Sequence, residues 1–306
     1  MSIVDRYAPS PTSDLHLGNL RTALAGWLLT HRAGGSWRLR VEDLDVTRVR
    51  AAEGAAARQL RDLKDLGLAW DGEPVTQSER MEAYRDALTR LRERTYECFC
   101  TRREIEQAAS APHNDGYRPY PGTCARLSAA ERSRKRKERP AAIRVRAENA
   151  VFTVTDRFSG EVTATVDDFV LVRGDGVPAY NLASVVDDMY QGVTQVTRGA
   201  DLLSSAPRQA WLTTQLGGQP PAYAHIGLVT NDRGKRLAKR DGAVTLADLQ
   251  AQGWRTSDVL AELTASLGLG RHTTPHEALD AMPRLLPAAF HLPVTWTGSQ
   301  LVSLQP

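Results

Sequence analysis

Apolar residues recur at spacings of three and four in the first long amphipathic segment of the chain. They share one face of a helix at this spacing, and they are Leu17, Leu20, Leu24, Trp27 and Leu28. The stretch 33–35 (Ala-Gly-Gly) predicts the end of this helix, because glycine tolerates the left-handed turn that follows the last helical carbonyls. A short run at 1–4 precedes the segment. The chain is therefore predicted to open with a strand that crosses into a helix.

Alternating apolar and polar residues predict further strands. One alternation covers 36–41 and ends in the acidic stretch 42–45, and another extends over 143–166. A buried strand is predicted at 192–197, and it ends at Arg198. The remaining predicted helices are 51–66, 80–95, a segment that begins at Tyr180, 207–216, 246–268 and 275–286. Strands and helices in this succession indicate an α/β fold.

Size and composition set limits on the class of protein. A chain of 306 residues can bury a large core and is expected to divide into two or three domains. The net charge of +3 is mild, so it neither requires nor excludes a nucleic-acid partner. No apolar run is long enough to cross a membrane, and the N-terminus has no secretory signal pattern. We therefore expect a cytoplasmic protein without a membrane partner.

The loop before the first helix contains the first candidate chemistry. It reads RYAPSPTSDLHLGN from Arg6 to Asn19. The first N–H groups of a helix lack internal partners and the macrodipole is positive there, so a phosphate can bind. Gly18 has no Cβ to obstruct a nucleotide, and His16 can donate a hydrogen bond. Taken alone, the motif is more often a helix capped by a residue of 12–14, with a histidine satisfied inside the fold.

Two charged residues follow predicted strands. Glu42 comes directly after the strand 36–41, and Arg198 ends the strand 192–197. Ligands of open α/β sheets bind beyond the carboxyl ends of the strands, so both side chains are expected to face the same crevice as His16. An arginine there can bind a carboxylate through two hydrogen bonds. The alternatives are an acidic loop that caps the next helix and a surface salt bridge.

The chain has three cysteines, all within one short window, which favours a metal site over a disulfide framework. Cys98, Cys100 and Cys124 supply three thiolates, one ligand short of a closed tetrahedral zinc site. The candidates for the fourth ligand are His113, Asp115, Tyr117 and Tyr120. Chemistry alone favours His113, because imidazole is a far commoner zinc ligand than phenol. Three reduced thiols without a metal remain the alternative.

Two motifs carry a resemblance to a known family. The string PSPTSDLHLGN resembles the HIGH signature of class I aminoacyl-tRNA synthetases in its glutamyl form, although its last position is Asn19 instead of histidine. Far downstream, 234–240 (GKRLAKR) resembles the family's KMSKS signature. Arg236 and Ala238 replace a lysine and a serine of that signature, whereas Lys239 is retained. The resemblance implies a ligase with a Rossmann-like parallel sheet.

The same resemblance implies roles for individual residues. His16 and Lys239 would be catalytic, and Gly18 and Asn19 would bind ATP together with them. The expected glutamate-binding residues are Arg6, Ala8, Ser10, Glu42 for the ammonium group, Tyr180, and Arg198 for the side-chain carboxylate. The family has a tyrosine four residues before its last cysteine, which implies Cys98, Cys100, Tyr120 and Cys124 as zinc ligands. His113 stays the alternative fourth ligand.

The resemblance covers nearly the whole chain and is closest to the glutamyl-Q tRNA(Asp) synthetases, a paralogue family. The expected segments are 1–97 and 180–244 for the catalytic domain, 98–179 for an inserted zinc-bearing α+β subdomain, and 245–306 for a C-terminal helical segment. No anticodon-binding domain is expected. The implied reaction is activation of L-glutamate by ATP and Mg²⁺ without tRNA. The activated glutamate would then be transferred to the queuosine base of tRNA(Asp). The enzyme is expected to be a monomer with one structural Zn²⁺.

Two other functions remain open on the sequence. A truncated glutamyl-tRNA synthetase would charge the 3′ end of a tRNA, and an inactive zinc-bearing module would only bind RNA. The basic run from Arg132 to Arg139 is either a solvated helix face or a contact to RNA phosphates.

Overall fold

A computed structural model of the chain describes residues 2–101, 103–105, 119–234, 237 and 244–303. The chain forms two compact units. The first unit comprises Met1–Thr76, Val193–Leu203 and Ala222–Pro306, and the second comprises Gln77–Gly192 and Ser204–Pro221. These bounds differ from the four segments expected from the sequence, whose functional division stays a prediction.

Strands and helices alternate along much of the chain. The strands are β1 Val4–Tyr7, β2 Ser36–Val41, β3 Val75–Thr76, β4 Thr95–Cys98, β5 Ala142–Val145, β6 Val151–Asp156, β7 Gly160–Thr165, β8 Val170–Val172, β9 Gln195–Gly199, β10 Ala222–Ile226, β11 Val229–Thr230, β12 Val294–Trp296 and β13 Leu301–Ser303. The helices are α1 Leu17–Arg32, α2 Val46–Arg50, α3 Ala55–Asp65, α4 Met81–Arg90, α5 Ala129–Glu138, α6 Tyr180–Tyr190, α7 Ala206–Gln215, α8 Leu246–Ala251, α9 Thr256–Ser266 and α10 Pro275–Asp280.

A parallel sheet organises the first unit. β1 pairs with β2 and β2 with β3, and β9 pairs with β10, in each case in parallel. β9 lies along the other side of β1, since the N–H of Thr194 donates to the carbonyl of Val4 at 2.9 Å. The amide of Thr197 donates to the side chain of Asp5, so the contacts advance in the same direction along both strands. The carboxyl ends of β1, β2, β9 and β10 therefore meet at one edge.

Helix α1 packs its predicted apolar face into the core of this unit, and all five predicted face residues are buried. It ends at Arg32 with Ala33 as its C-cap, and Gly34 adopts a φ of +63°, as the sequence predicts. Arg21 of α1 is also fully buried. Its guanidinium donates to the carbonyls of Gly227 and Ser266 at 2.6 and 3.1 Å, which attaches the helix to the C-terminal part of the unit.

Several predicted helices are shorter than expected. The helix predicted at 51–66 begins only at Ala55, because Gly54 has a φ of +72° and interrupts the chain between α2 and α3. The segment 246–268 breaks into α8 and α9 around Gly253, whose φ is +91°. In addition, the C-terminal segment is not purely helical, since β12 pairs with both β11 and β13. Pattern reasoning missed these short strands.

The second unit contains one antiparallel sheet in the order β4-β5-β8 and a hairpin of β6 and β7. Helices α6 and α7 belong to the same unit. Asp187 of α6 is fully buried and accepts hydrogen bonds from Gln77, Arg80 and Tyr84, which joins the start of the unit to this helix. No helix among the described residues is long and apolar enough to cross a membrane.

Candidate active site

The loop between β1 and α1 is held in place by two neighbours in its own unit. Gln59 of α3 is 2% exposed, and its amide donates to the carbonyls of Ser10 and Ser13 at 3.1 and 2.7 Å. The N–H of Glu42 donates to the carbonyl of Pro9 at 3.0 Å, which continues the β1–β2 alignment past the strands. No pattern in the sequence singles out Gln59. Its role depends on a contact between distant segments.

His16 itself caps helix α1, in the role that the sequence had offered to a residue of 12–14. Its Nδ1 accepts from the N–H of Gly18 at 3.1 Å, and its own N–H donates to the side chain of Asn19 at 3.1 Å. An imidazole whose Nδ1 accepts a hydrogen bond carries its proton on Nε2. The Nε2–H is therefore the group of this ring that can donate to a phosphate oxygen.

The first amides of α1 already have partners inside the protein. Leu17 N–H donates to the carbonyl of Val244 at 3.0 Å, and Asn19 N–H donates to the carbonyl of His16 at 2.8 Å. A Cβ added at Gly18 would lie 3.0 Å from the ring of His16, so the glycine is needed by the capping histidine. His16 and the macrodipole at the helix start can therefore attract a phosphate. The backbone amides there contribute much less to phosphate binding than the sequence predicts.

The flanks of the second signature are attached near the first. Thr245 forms a β-bridge with His16, and the buried Leu237 donates its N–H to the carbonyl of Val229 at 3.0 Å. Arg236, Ala238 and Lys239 lie outside the described residues, so the role of Lys239 stays a prediction.

Glu42 follows β2, as predicted, and its side chain is 13% exposed. The Nη2 and Nε atoms of Arg40 lie 3.2 and 3.3 Å from its Oε1, and the Arg40 side chain is fully buried. This ion pair fixes the carboxylate at the edge of the sheet and compensates part of its charge. Arg40 had no assigned role in the sequence, because an arginine that alternates with apolar residues usually faces solvent.

Arg198 lies one residue before the end of β9 and is 5% exposed, which rules out a surface salt bridge. Its Nε donates to Nε2 of His225 at 3.1 Å, and its Nη2 donates to the carbonyl of Leu202 at 3.1 Å. His225 is its Cα partner on β10 and is 2% exposed. Because His225 accepts through Nε2, its ring is neutral with the proton on Nδ1. Sequence reasoning missed this residue.

Asp5 connects the strands that carry Arg6 and Arg198. It is fully buried, and it accepts from the N–H of Arg6 at 2.7 Å and from the N–H of Thr197 at 3.1 Å. Burial raises the pKa of this carboxyl, and the hydrogen bonds from Thr197 and Gln195 oppose that rise. Arg6 is 4% exposed on β1. Arg6 and Arg198 are therefore held on adjacent strands.

The structure thus brings five predicted residues of the first unit to one edge of its sheet. They are Arg6 on β1, Ala8 and Ser10 in the loop after it, Glu42 after β2, and Arg198 near the end of β9. Tyr180 belongs to the second unit, where it is the first residue of α6 and is 40% exposed.

The three cysteines of the second unit form a cluster with Tyr120. Their sulfur atoms lie within 4.8 Å of one another. The hydroxyl of Tyr120 lies 3.4 Å from the sulfur of Cys98 and 3.6 Å from that of Cys100. The sulfur atoms of Cys100 and Cys124 are 3.5 Å apart. Zinc bonds of about 2.3 Å to sulfur and about 2.0 Å to oxygen, at tetrahedral angles, require sulfur–sulfur and sulfur–oxygen distances of about 3.8 and 3.5 Å. The four side chains therefore fit a tetrahedral zinc ion.

Two backbone amides and one arginine next to the cluster offset part of the cost of burying anionic ligands. The N–H of Phe99 donates to the sulfur of Cys124 at 3.4 Å, and the N–H of Cys124 donates to the hydroxyl oxygen of Tyr120 at 2.8 Å. The guanidinium of Arg144 lies 3.7 Å from the centre of the Tyr120 ring. Without a cation, burial raises the pKa of the Cys100 thiol to about 12. His113, the alternative ligand, lies outside the described residues.

Comparisons with known proteins agree with this arrangement. Residues 2–281 match the family described as tRNA synthetases class I (E and Q), catalytic domain. A glutamyl-Q tRNA(Asp) synthetase of Nocardia farcinica is 57% identical over 285 residues, which cover 92% of this chain and 90% of that protein. Another, of Deinococcus radiodurans, is 46% identical and covers 96% of both chains. The chain belongs to the glutamyl-Q tRNA(Asp) synthetase family.

Solved structures confirm the fold. A glutamate-tRNA synthetase of Elizabethkingia anophelis superposes with a TM-score of 0.77 at 24% identity, covering 95% of this chain and 67% of that chain. A glutamate tRNA ligase of Elizabethkingia meningosepticum has a TM-score of 0.75, also at 24% identity, and this chain covers 66% of it. The predicted class I fold is therefore confirmed. The family match and the relatives confirm the predicted enzyme class, a ligase of the aminoacyl-tRNA synthetase type.

Proposed function

We propose that this enzyme activates L-glutamate with ATP in the absence of tRNA and transfers it to the queuosine base of tRNA(Asp). The observation that carries the proposal is the buried guanidinium of Arg198 at the carboxyl end of β9. A buried guanidinium held in position at this edge can bind a carboxylate through two charge-assisted hydrogen bonds. The names of the relatives at 57% and 46% identity support the same substrate and acceptor.

The chemistry of activation suits these side chains. The α-carboxylate of glutamate attacks the α-phosphorus of ATP, a mixed anhydride forms, and pyrophosphate leaves. The nucleophile is already an anion, so no serine, cysteine or general base is required. Catalysis then consists of alignment of two anions and compensation of the charge that grows at the α-phosphate. Mg²⁺ bound to ATP supplies part of that compensation.

Each residue has a separate task in this scheme. Arg198 binds the side-chain carboxylate of glutamate, and Glu42 binds its ammonium group. Arg6, Ala8 and Ser10 line the same end of the sheet, and Tyr180 is assigned to glutamate on the family resemblance alone. The Nε2–H of His16 donates to a phosphate oxygen next to Gly18 and Asn19. Lys239 compensates the transition-state charge.

ATP–pyrophosphate exchange tests the activation step. We expect the purified protein, without any RNA, to exchange labelled pyrophosphate into ATP when glutamate is present. Glutamine and aspartate serve as matched controls, because one lacks the side-chain charge and the other is one methylene shorter. Exchange of similar rate with glutamine would contradict the assignment of Arg198. Exchange that appears only after tRNA is added would contradict activation without tRNA.

We also propose that Cys98, Cys100, Tyr120 and Cys124 hold one structural Zn²⁺. The donor set is closed, with four protein ligands and no position for substrate, which is typical of structural sites. The amides of Phe99 and Cys124 donate to two of the ligands and would stabilise their anionic forms.

Zinc content distinguishes the two candidate fourth ligands. We expect about one zinc per chain by elemental analysis, and a Tyr120→Phe variant should lose zinc to a chelator at about 10–100-fold lower concentration. His113→Ala is the matched control and should retain zinc like the unaltered protein. The opposite pattern, with zinc lost from His113→Ala and kept by Tyr120→Phe, would show that the histidine is the ligand.

Two alternatives differ in their products. A truncated glutamyl-tRNA synthetase would attach glutamate to the 3′ end of a tRNA. A zinc-bearing RNA-binding module would show no exchange at all. The buried guanidinium of Arg198 and the carboxylate of Glu42, which is held by Arg40, favour an active enzyme over the second alternative, because such charges at a sheet edge serve no packing purpose.

A further inference from the structure

The second unit contains a cavity of which only one lining residue, Tyr180, has a role in the proposed reaction. It has a volume of about 300 Å³, at the small end of the range for ligand sites. The residues that matter for its chemistry are Tyr120, Arg144, Asp167, Tyr180, Asn181 and Arg208. All belong to the second unit, so the cavity is formed within one body. We refer to it as the Arg144 cavity.

Arg144 is the feature that points to a ligand. It is 7% exposed, and its guanidinium lies against the ring of Tyr120. One of its terminal nitrogens donates to the carbonyl of Asp168 at 2.7 Å. Among the residues that the structure describes, its Nε is buried without a hydrogen-bond partner. A buried N–H donor of a charged group that lacks an acceptor is costly, which makes an acceptor from a bound molecule the natural partner.

Helix α6 adds a second donor group to the same cavity. Ala179, Tyr180 and Asn181 line it, and they are the N-cap and the first two residues of this 11-residue helix. Ala179 has no side chain that can cap the helix, and the first turn contains no acidic residue. The positive end of the macrodipole is therefore not compensated by a capping side chain, which favours an anion.

The charges of the wall agree with an anionic ligand. Arg208 is 8% exposed, and its Nη2 lies 3.0 Å from Oδ1 of Asp167. Asp167 therefore forms an ion pair with Arg208, and its other carboxylate oxygen accepts a hydrogen bond from the N–H of Tyr120 at 2.9 Å. The wall contains two arginines and one aspartate, which leaves one positive charge in excess on Arg144.

We infer that the Arg144 cavity binds a phosphate group of the RNA that accepts glutamate. A phosphate oxygen would accept from the Nε of Arg144 and lie at the start of α6, as anions do at helix N-termini. A phosphodiester contact gives affinity and orientation without reading the base, which suits an enzyme that must hold an RNA loop. This inference rests on the proposed function, because it takes the RNA to be the glutamate acceptor.

The test measures RNA affinity as a function of salt. The probe is a fluorescently labelled, unmodified transcript of the anticodon stem–loop of tRNA(Asp), bound to the full zinc-loaded chain and followed by anisotropy. Arg144→Met should raise the Kd about ten-fold and lower the slope of log K against log salt by about 0.7–0.9, the loss of one phosphate contact. Arg173→Met removes an exposed arginine of the same unit and should change the Kd by less than about two-fold.

A second variant protects the test against misfolding. Asn181→Asp is nearly isosteric, keeps the acceptor for the side chain of Gln209, and places a negative charge where the helix dipole favours one. It should fold normally and weaken RNA binding as Arg144→Met does. If both variants bind the stem–loop within about two-fold of the unaltered protein, the inference is wrong.

Two further measurements separate the possible outcomes. Inorganic phosphate and pyrophosphate are titrated calorimetrically. Loss of their binding in Arg144→Met with unchanged RNA affinity would assign the cavity to a free anion and overturn the RNA contact. Glutamate-dependent exchange without RNA should stay within about two-fold of normal in Arg144→Met. If the unaltered protein shows no such exchange while both variants still lose RNA affinity, the proposed function fails and the RNA-phosphate site stands.

Discussion

Replacing Arg198 by methionine is expected to reduce the kcat/KM of glutamate-dependent exchange by about 10²–10⁴-fold. The estimate follows from the loss of two charge-assisted hydrogen bonds to a buried carboxylate, at about 1.5–3 kcal/mol each. Methionine keeps most of the apolar stem and has no bond to His225 or Leu202. The loss should appear mainly as a higher KM for glutamate, whereas the KM for ATP should change little. Initial rates of pyrophosphate exchange at varied glutamate concentrations measure it.

A conservative variant separates charge from geometry at this position. Arg198→Lys retains the positive charge and loses the planar fork and the hydrogen bond from Nε to His225. Its kcat/KM should lie between those of Arg198→Met and the unaltered enzyme. Thermal unfolding of both variants checks that the fold is intact. A well-folded Arg198→Met enzyme with kcat/KM within about ten-fold of normal would contradict the assignment of this residue to the substrate carboxylate.

The Lys239→Ala variant is expected to lose glutamate-dependent exchange almost completely, with kcat reduced by about 10²–10³-fold. The reason is that a lysine ammonium group placed at the α-phosphate stabilises charge that appears only in the transition state, so its removal lowers kcat more than it raises KM. Single-turnover formation of the adenylate measures this step directly.

Arg233→Ala serves as the control for Lys239→Ala. It removes a positive charge from an exposed residue just before the second signature, and its activity should stay close to normal. A Lys239→Ala enzyme that exchanges pyrophosphate at the unaltered rate would show that the retained lysine has no catalytic role, despite its place in a KMSKS-like string.

Local patterns were sufficient for the elements that depend on local sequence. The apolar face of α1, its glycine terminus and the bounds of β2 are as predicted, because periodicity and turn chemistry act over a few residues. The placement of Glu42 and Arg198 at strand ends followed from the rule for parallel sheets. Periodicity failed where one glycine with a positive φ divides a continuous pattern, as at Gly54 and Gly253.

The support of the site could not be read from the sequence. Gln59 and His225 act through contacts with Ser10 and Arg198, and only the folded chain brings these pairs together. Arg40 is two residues from Glu42, but only the structure shows that its side chain is buried and contacts the carboxylate. The position of His16 was also only partly predictable from the sequence. Its motif pointed to a phosphate ligand or to a satisfied histidine, and in the structure the ring caps the helix through Nδ1, which leaves its Nε2–H as the donor for the proposed phosphate contact. The fourth zinc donor was open on chemistry alone, whereas the hydroxyl of Tyr120 lies 3.4 Å from the sulfur of Cys98.

Glutamate transfer to RNA tests the central claim most directly. Radiolabelled glutamate, ATP and the enzyme are incubated with tRNA from cells that make queuosine and with tRNA from cells that lack it, and the labelled RNA is cleaved to separate the anticodon stem–loop from the 3′ end. We predict label on the anticodon fragment of the queuosine-containing tRNA alone. Equal labelling of both tRNA pools, or label on the 3′ fragment, would contradict it.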